Sequence, residues 1–133
     1  MRRLILPTLL AAVLATGMGH AQSLEWGQAK PVSIELSNFK FTPAALTLQH
    51  GTAYRIHFAN TSSGGHDFVA KEFFAGSTID PEDQGKLKNG GIDLAGGEAV
   101  DIRLVVNQPG TYKTRCSHFM HSSFGMTGAI TVQ

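Results

Sequence analysis

The chain has 133 residues, 42% of them hydrophobic and 16% charged, with a formal net charge of +1. No basic stripe stands out, so nucleic-acid binding has no electrostatic support. The length suits one domain, and a single cysteine excludes an internal disulfide framework.

Arg2 and Arg3 precede an apolar run from Leu4 to Ala15, and Gly19 and Ala21 place small residues at the −3 and −1 positions of a cleavage site. This pattern predicts a cleaved secretory signal peptide over residues 1–21 and a periplasmic protein. The run is too short to anchor the chain, since a spanning helix needs about 20 apolar residues, so no stable membrane insertion is expected. Cleavage removes Arg2 and Arg3 from the 11 basic side chains, leaving 9 against 10 acidic ones.

Residues 22–30 read as a short N-terminal arm carrying the only tryptophan, and residues 31–133 as the folded domain. Val32 to Ser37 alternates apolar and polar residues, the mark of a half-buried strand. Asn38 to Pro43 is expected to bend the chain, Ala45 to Leu48 to resume it as a strand, and His50-Gly51 to turn it. Thr52 to Asn60 is the cleanest strand, with Tyr54, Ile56 and Phe58 on one face and Arg55 and His57 on the other. Asn60 to Gly65 is a loop of turn formers, and His66 to Ala70 begins the next extended run.

Lys71 to Lys88 breaks the strand rhythm. Asp80-Pro81-Glu82-Asp83 combines an N-cap, a first-turn proline and first-turn acids, which predicts a short helix near 80–88. These acids would be a solvated helix start or an attraction for a basic partner. Ile92 to Leu94, Glu98 to Val106, Gly110 to Cys116 and Thr127 to Val132 supply the remaining strands. About seven or eight short strands, with turn signals roughly every 8–12 residues, predict an all-β antiparallel sandwich.

The chemistry concentrates near the C-terminus, where Cys116, His121 and Met126 stand at the spacing C-x4-H-x4-M. Exported proteins pair their cysteines, so a lone one is an intermolecular disulfide partner, a stray thiol or a ligand. Thiolate, imidazole and thioether together suit copper, and one Cys with two His and a weak Met defines a blue-copper site. The second histidine must come from elsewhere. His66 follows a strand and a glycine-rich loop, so it can point from one end of the sandwich; His50, in a turn, and His57, on a polar strand face, are its rivals.

The run Gly110-Thr-Tyr112-Lys-Thr-Arg-Cys116, then His121, then Gly125-Met126-Thr-Gly128-Ala-Ile130-Thr-Val132, resembles the copper-binding segment of the cupredoxins, the family of plastocyanin and azurin. Phe41-Thr-Pro43 through Gly51, and Asn60 to His66, are similar too, so the resemblance spans residues 31–133. It implies a Greek-key β-sandwich and one type 1 copper per chain. His66 and His121 would bind through ring nitrogen and Cys116 through sulfur, with Met126 at a longer axial distance. It also implies a monomeric one-electron carrier that meets a cytochrome or a copper oxidase or reductase, the electron leaving through His121.

This chain departs from the family pattern in places. Many members carry Asn after the first His ligand, where this chain has Asp67; its carboxylate could bond across to the Cys loop or add negative charge. His118 and Met120 stand where relatives often have Pro or Gly. They would form a second copper site or relay, as in copper-tolerance proteins served by a copper chaperone, or line a docking surface. Phe119 and Phe124 are expected to pack, with shielding of the metal or a contact patch as alternatives. An enzyme is not expected: oxidases and reductases of this lineage need more histidine clusters, and a binuclear site needs a second cysteine.

Overall fold

The computed structural model describes residues 24–133. The expected signal peptide and the first residues of the arm lie outside the described residues. Trp26–Gln28 forms one 3-10 turn, and strands then follow in close succession. They are β1 (Lys30–Ser37), β2 (Lys40–Thr42), β3 (Ala45–Leu48), β4 (Ala53–Asn60), β5 (His66–Val69), β6 (Ser77–Ile79), β7 (Gly91–Leu94), β8 (Ala99–Val106), β9 (Gly110–Arg115) and β10 (Thr127–Val132). One α-helix, α1 (Lys71–Ala75), lies between β5 and β6.

The strands form two five-stranded sheets, ordered β2-β1-β4-β8-β6 and β3-β10-β9-β5-β7. Most neighbours are antiparallel, as the turn-rich sequence predicts, but β1/β4 and β3/β10 are parallel. Parallel neighbours need a crossover connection. The chain supplies one by leaving β1 through β2, visiting the second sheet as β3, and returning as β4.

Alternation sets the core. In β4, Tyr54, Ile56 and Phe58 are buried while Arg55 and His57 face solvent. Ile56 pairs with Ile102 and Tyr54 with Leu104 of β8, so the apolar rows of neighbouring strands coincide. The facing sheet contributes Phe68, Ile130 and Val132. The Phe58 and Phe68 rings meet with centroids 5.0 Å apart, and Phe41 reaches Phe68 edge-on at 5.1 Å. Edge-to-face and tilted pairs at these distances are the favoured aromatic geometry.

The segment between β5 and β7 holds what the strand pattern hides. The helical stretch expected near 80–88 shortens to a 3-10 turn at Gln84–Lys86, and the α-helix lies earlier, at Lys71–Ala75. That helix forms because its Phe73 and Phe74 are both buried, with Phe73 meeting Tyr112 at 5.8 Å. Of the three acids expected to be solvated or to attract a partner, Asp80 and Asp83 are buried, and exposed Glu82 meets Arg103 Nη2 at 3.1 Å. Asp83 is fully buried and accepts from both the backbone N–H and Nε of Arg103 at 2.9 Å, and from Lys86 Nζ at 2.5 Å. Burial alone would raise its carboxyl, but these donors prevail and hold it at about 2. The bonds fasten the segment onto β8.

Phe58 is completely enclosed. Phe58→Ala should therefore cost about 3–5 kcal/mol, read as a lower midpoint in urea unfolding. A loss under about 1 kcal/mol would contradict a single close-packed core between the sheets.

Candidate metal centre

Three loops or strand ends meet at one pole of the sandwich. The first is the loop 61–65 before β5. Asn60, buried at the end of β4, organises it with its side-chain amide. Its Nδ2 donates to Gly64 O at 2.8 Å and Leu94 O at 3.0 Å, while its Oδ1 accepts from Ser62 N–H at 3.0 Å and Ser62 Oγ at 2.7 Å. The turn after β7 presses against the same loop: a Cβ on Gly96 would stand 2.2 Å from Ser63 O, so only glycine fits. This packing delivers His66 into the pole with its side chain almost wholly buried.

The second is the loop 117–125 between β9 and β10. Cys116 N–H donates to Met126 O at 3.0 Å, Met126 N–H to His121 O at 3.0 Å, and His121 N–H to His118 O at 3.1 Å. Gly125 reverses the chain at φ 98°, a left-handed conformation suited to glycine. Cys116 and Met126 are fully buried and His121 is half-buried. The third is the β1–β2 turn, whose Phe39 lays its ring edge-on to His121 at 5.2 Å and against Phe124 at 5.3 Å. Phe39 itself sits at φ 60°, an uncommon setting for a bulky residue.

The donor atoms converge. His66 Nδ1 and His121 Nδ1 lie 3.2 Å apart, and Cys116 Sγ lies 3.4 Å from His121 Nδ1. One donor atom from each of these three residues falls within 4.8 Å of the others. Bonds of about 2.0 Å to nitrogen and about 2.3 Å to sulfur place neighbouring donors of one ion roughly 3.2–3.8 Å apart, so this set fits a single metal ion. Two imidazoles and one cysteine sulfur are donor types that suit copper. The other ring nitrogen, His66 Nε2, is buried without a partner among the described residues, so the ring's contacts are made on the side of the cluster.

Burial pulls the His66 imidazole below its ordinary value of 6.5, and positive charge on His121 or His118 would push it further down. Burial also pushes the Cys116 thiol up. The pole therefore holds a neutral imidazole ready to ligate and a thiol that must lose its proton to do so.

The structure thus brings His66, Cys116 and His121 together and leaves out their rivals. His50 Nδ1 meets Gln133 O at 2.7 Å, and His57 Nδ1 meets Asp101 Oδ1 at 2.6 Å on the outer face of the sheet. Asp67 reaches across to the Cys loop, accepting the Ser117 N–H at 2.5 Å and the Ser117 hydroxyl. His118 stacks on His121 with centroids 5.5 Å apart and bonds Asp93 Oδ1 through Nε2 at 3.2 Å. Neither Phe119 nor Phe124 enters the core: Phe119 is 90% exposed, and Phe124, 62% exposed, meets the ring of Phe39. Sequence reasoning passed over Asn60 and Phe39. The turn-former loop after Asn60 was a signal for the first, whereas nothing local marks Phe39.

The family model of the cupredoxin-like domain matches residues 8–132, and the chain belongs to that family. Among solved structures, the chain is similar to dithionite-reduced auracyanin from the photosynthetic bacterium Roseiflexus castenholzii. There the identity is 22% and the TM-score 0.59, over 79% of this chain and 98% of that one. Auracyanin A, a "blue" copper protein from Chloroflexus aurantiacus, is similar at 20% identity and TM-score 0.53, over 77% and 99%. A multi-copper oxidase from Pseudomonas thermotolerans is similar at 16% identity and TM-score 0.64, but over only 31% of its length against 84% of this chain. At such identities these likenesses establish the fold. No curated protein sequence matches.

A depressed His66 value has a signed consequence. The unfolded chain takes up a proton on this imidazole at a higher pH than the folded one, so stability falls as pH drops from 6.5 toward the folded value. The metal-free protein should therefore unfold at lower urea at pH 5 than at pH 7.5, and His66→Gln should flatten that difference. An unchanged slope in the variant would mean that His66 is not held neutral.

Proposed function

We propose that this chain is a type 1 copper protein that carries single electrons in the periplasm. The observation that supports it most is the convergence of two imidazole Nδ1 atoms and the chain's one thiol at a buried pole. His66, His121 and Cys116 would hold the ion, and buried Met126 would offer a further, weaker sulfur. Copper held this way supplies one-electron redox chemistry. The protein's part is to keep the donors still. Asn60 fixes the loop behind His66, and backbone bonds fix Cys116, Met126 and His121.

His121 is the one half-exposed member of the set; Phe39 meets its ring edge-on, and exposed Phe119, Met120 and Phe124 belong to the same loop. An uncharged apolar surface beside one edge of a site suits brief docking of a redox protein, such as a cytochrome or a copper oxidase or reductase. The periplasmic assignment rests on the signal-like sequence 1–21. Among the described residues no helix is long and apolar enough to cross a membrane. A monomeric carrier without catalytic activity of its own fits a single-domain chain with one cysteine.

A second reading, a copper-handling protein served by a copper chaperone, is favoured by His118 stacked on His121 and by exposed Met120. These are additional ligand types at the mouth of the site. Under the carrier reading, His118→Ala with Met120→Ala leaves one copper per chain; under the handling reading the count or the copper tolerance of cells falls.

The Cu(II) protein should show an intense visible thiolate charge-transfer band and an EPR spectrum with small copper hyperfine splitting. Cys116→Ser should abolish the band. Colour that survives this substitution would refute the assignment.

A further inference from the structure

The two sides of the sandwich differ in how their cations are matched. Around β8, Arg55 meets Asp101, Lys86 meets Asp83, and Arg103 meets Asp80, Glu82 and Asp83. Beside the other sheet, Lys71, Lys113 and Arg115 are exposed and join no ion pair among the described residues. All three line one open trough of about 720 Å³.

Strand alternation builds this trough. Tyr112 and Thr114 of β9 turn inward, so Lys113 and Arg115 turn out to solvent. In register, Arg115 lies beside both Val69 and Thr127, and Lys113 beside Ala129. The floor is therefore short side chains, and the cations rise from it. Lys71, the first residue of α1, joins them with its stem held: a Cβ on Gly90 would stand 2.3 Å from Lys71 Cγ. Glu72 is the one acid in the lining, so three cations face one anion. A neighbouring hollow shares Lys71 and Arg115 and adds Lys88; its own acids, Asp67 and Asp93, are engaged by Ser117 and His118.

We propose that this outer face of β5, β9 and β10 is a docking trough for an acidic segment of a partner protein. The roots of Lys113 and Arg115 stand about 7 Å apart, two strand residues. Carboxylates at alternate residues of an extended segment repeat at the same spacing, so such a segment can pair with both cations at once. A flat lipid surface cannot enter a trough, and a single small anion would leave part of the charge unmatched. Neither Phe39, Phe119 nor Phe124 lines the trough, which sets it apart from the apolar edge beside His121. Arg115 directly precedes Cys116, so an occupant lies along the strand that leads to the sulfur. That the occupant is an electron-transfer partner rests on the carrier reading above; the binding itself needs only this chain.

The test is an NMR titration of the metal-free protein with a synthetic decapeptide of alternating Glu and Ser. Amide shifts should cluster at Lys71, Lys113, Thr127 and Ala129. Affinity should fall about tenfold from low salt to about 0.15 M salt, where screening limits the reach of exposed charges to about 8 Å. Lys71→Glu with Lys113→Glu should lower affinity about tenfold or more at low salt, the scale of reversing charges that steer and hold a partner. Lys30→Glu with Lys40→Glu makes the same change of charge at exposed positions on the other sheet, and should keep the shifts and most of the affinity. Equal losses in the two variants, or shifts scattered over both sheets, would overturn the inference. So would the same shifts saturating with inorganic phosphate or phosphatidylglycerol vesicles more tightly than with the peptide. A copper-loaded protein without the thiolate band would sink the copper reading instead, and the metal-free titration would still decide the trough.

Discussion

The ladder between β9 and β10 does not stop at Arg115 and Thr127. It runs one step further, where Cys116 N–H bonds Met126 O at 3.0 Å. That bond closes the loop 117–125 and turns two strand ends into the rim of a site. Strand pairing is cooperative and strongly specified where one face is buried, so the sulfur inherits the rigidity of the sheet. Met126 N–H then holds His121 O, and the second imidazole is drawn back over the sulfur. Every other feature of the pole is arranged around a loop closed in this way.

The opposite side of the site is built by different means. His66 cannot be placed by the β9–β10 hairpin, being 50 residues earlier in the sequence than Cys116. It is placed by a polar hub instead: the amide of Asn60 satisfies the loop 61–65 and the start of the turn after β7. Buried polar groups that are fully bonded fix a local structure firmly, and a half-bonded one would loosen it. Asp67 then bridges the two halves. A site assembled from a hairpin, a hub and a bridge is preorganised, so the side chains do not have to search when the ion binds.

Much of this was legible in order of residues. Strand alternation in β4 and β8 marked the core, because a half-buried strand must repeat every second residue. The C-x4-H-x4-M run and the lone cysteine pointed to Cys116 and His121, which the structure places beside His66, because soft ligands at close spacing have few other uses. The helix was misplaced for a physical reason. Asp80-Pro81-Glu82-Asp83 has the local grammar of a helix start, yet Asp83 is captured by Arg103 of β8, and tertiary bonds outweigh the capping preference. Lys71–Ala75 has no such grammar and is helical because Phe73 and Phe74 must be buried. The parallel pairs and the approach of Phe39 to His121 and Phe124 were also hidden. They depend on which chain segments meet, and no local pattern records that.

The central claim is that the donors are already in position. The most direct measurement is a pair of crystal structures of this protein, metal-free and loaded with Cu(II), compared at the donor atoms. The account predicts that His66 Nδ1, His121 Nδ1 and Cys116 Sγ surround one ion and shift by less than about 0.5 Å between the two states. An ion bound at His118 and Asp93 instead, or a His66 ring rotated away from the sulfur in the loaded form, would contradict it.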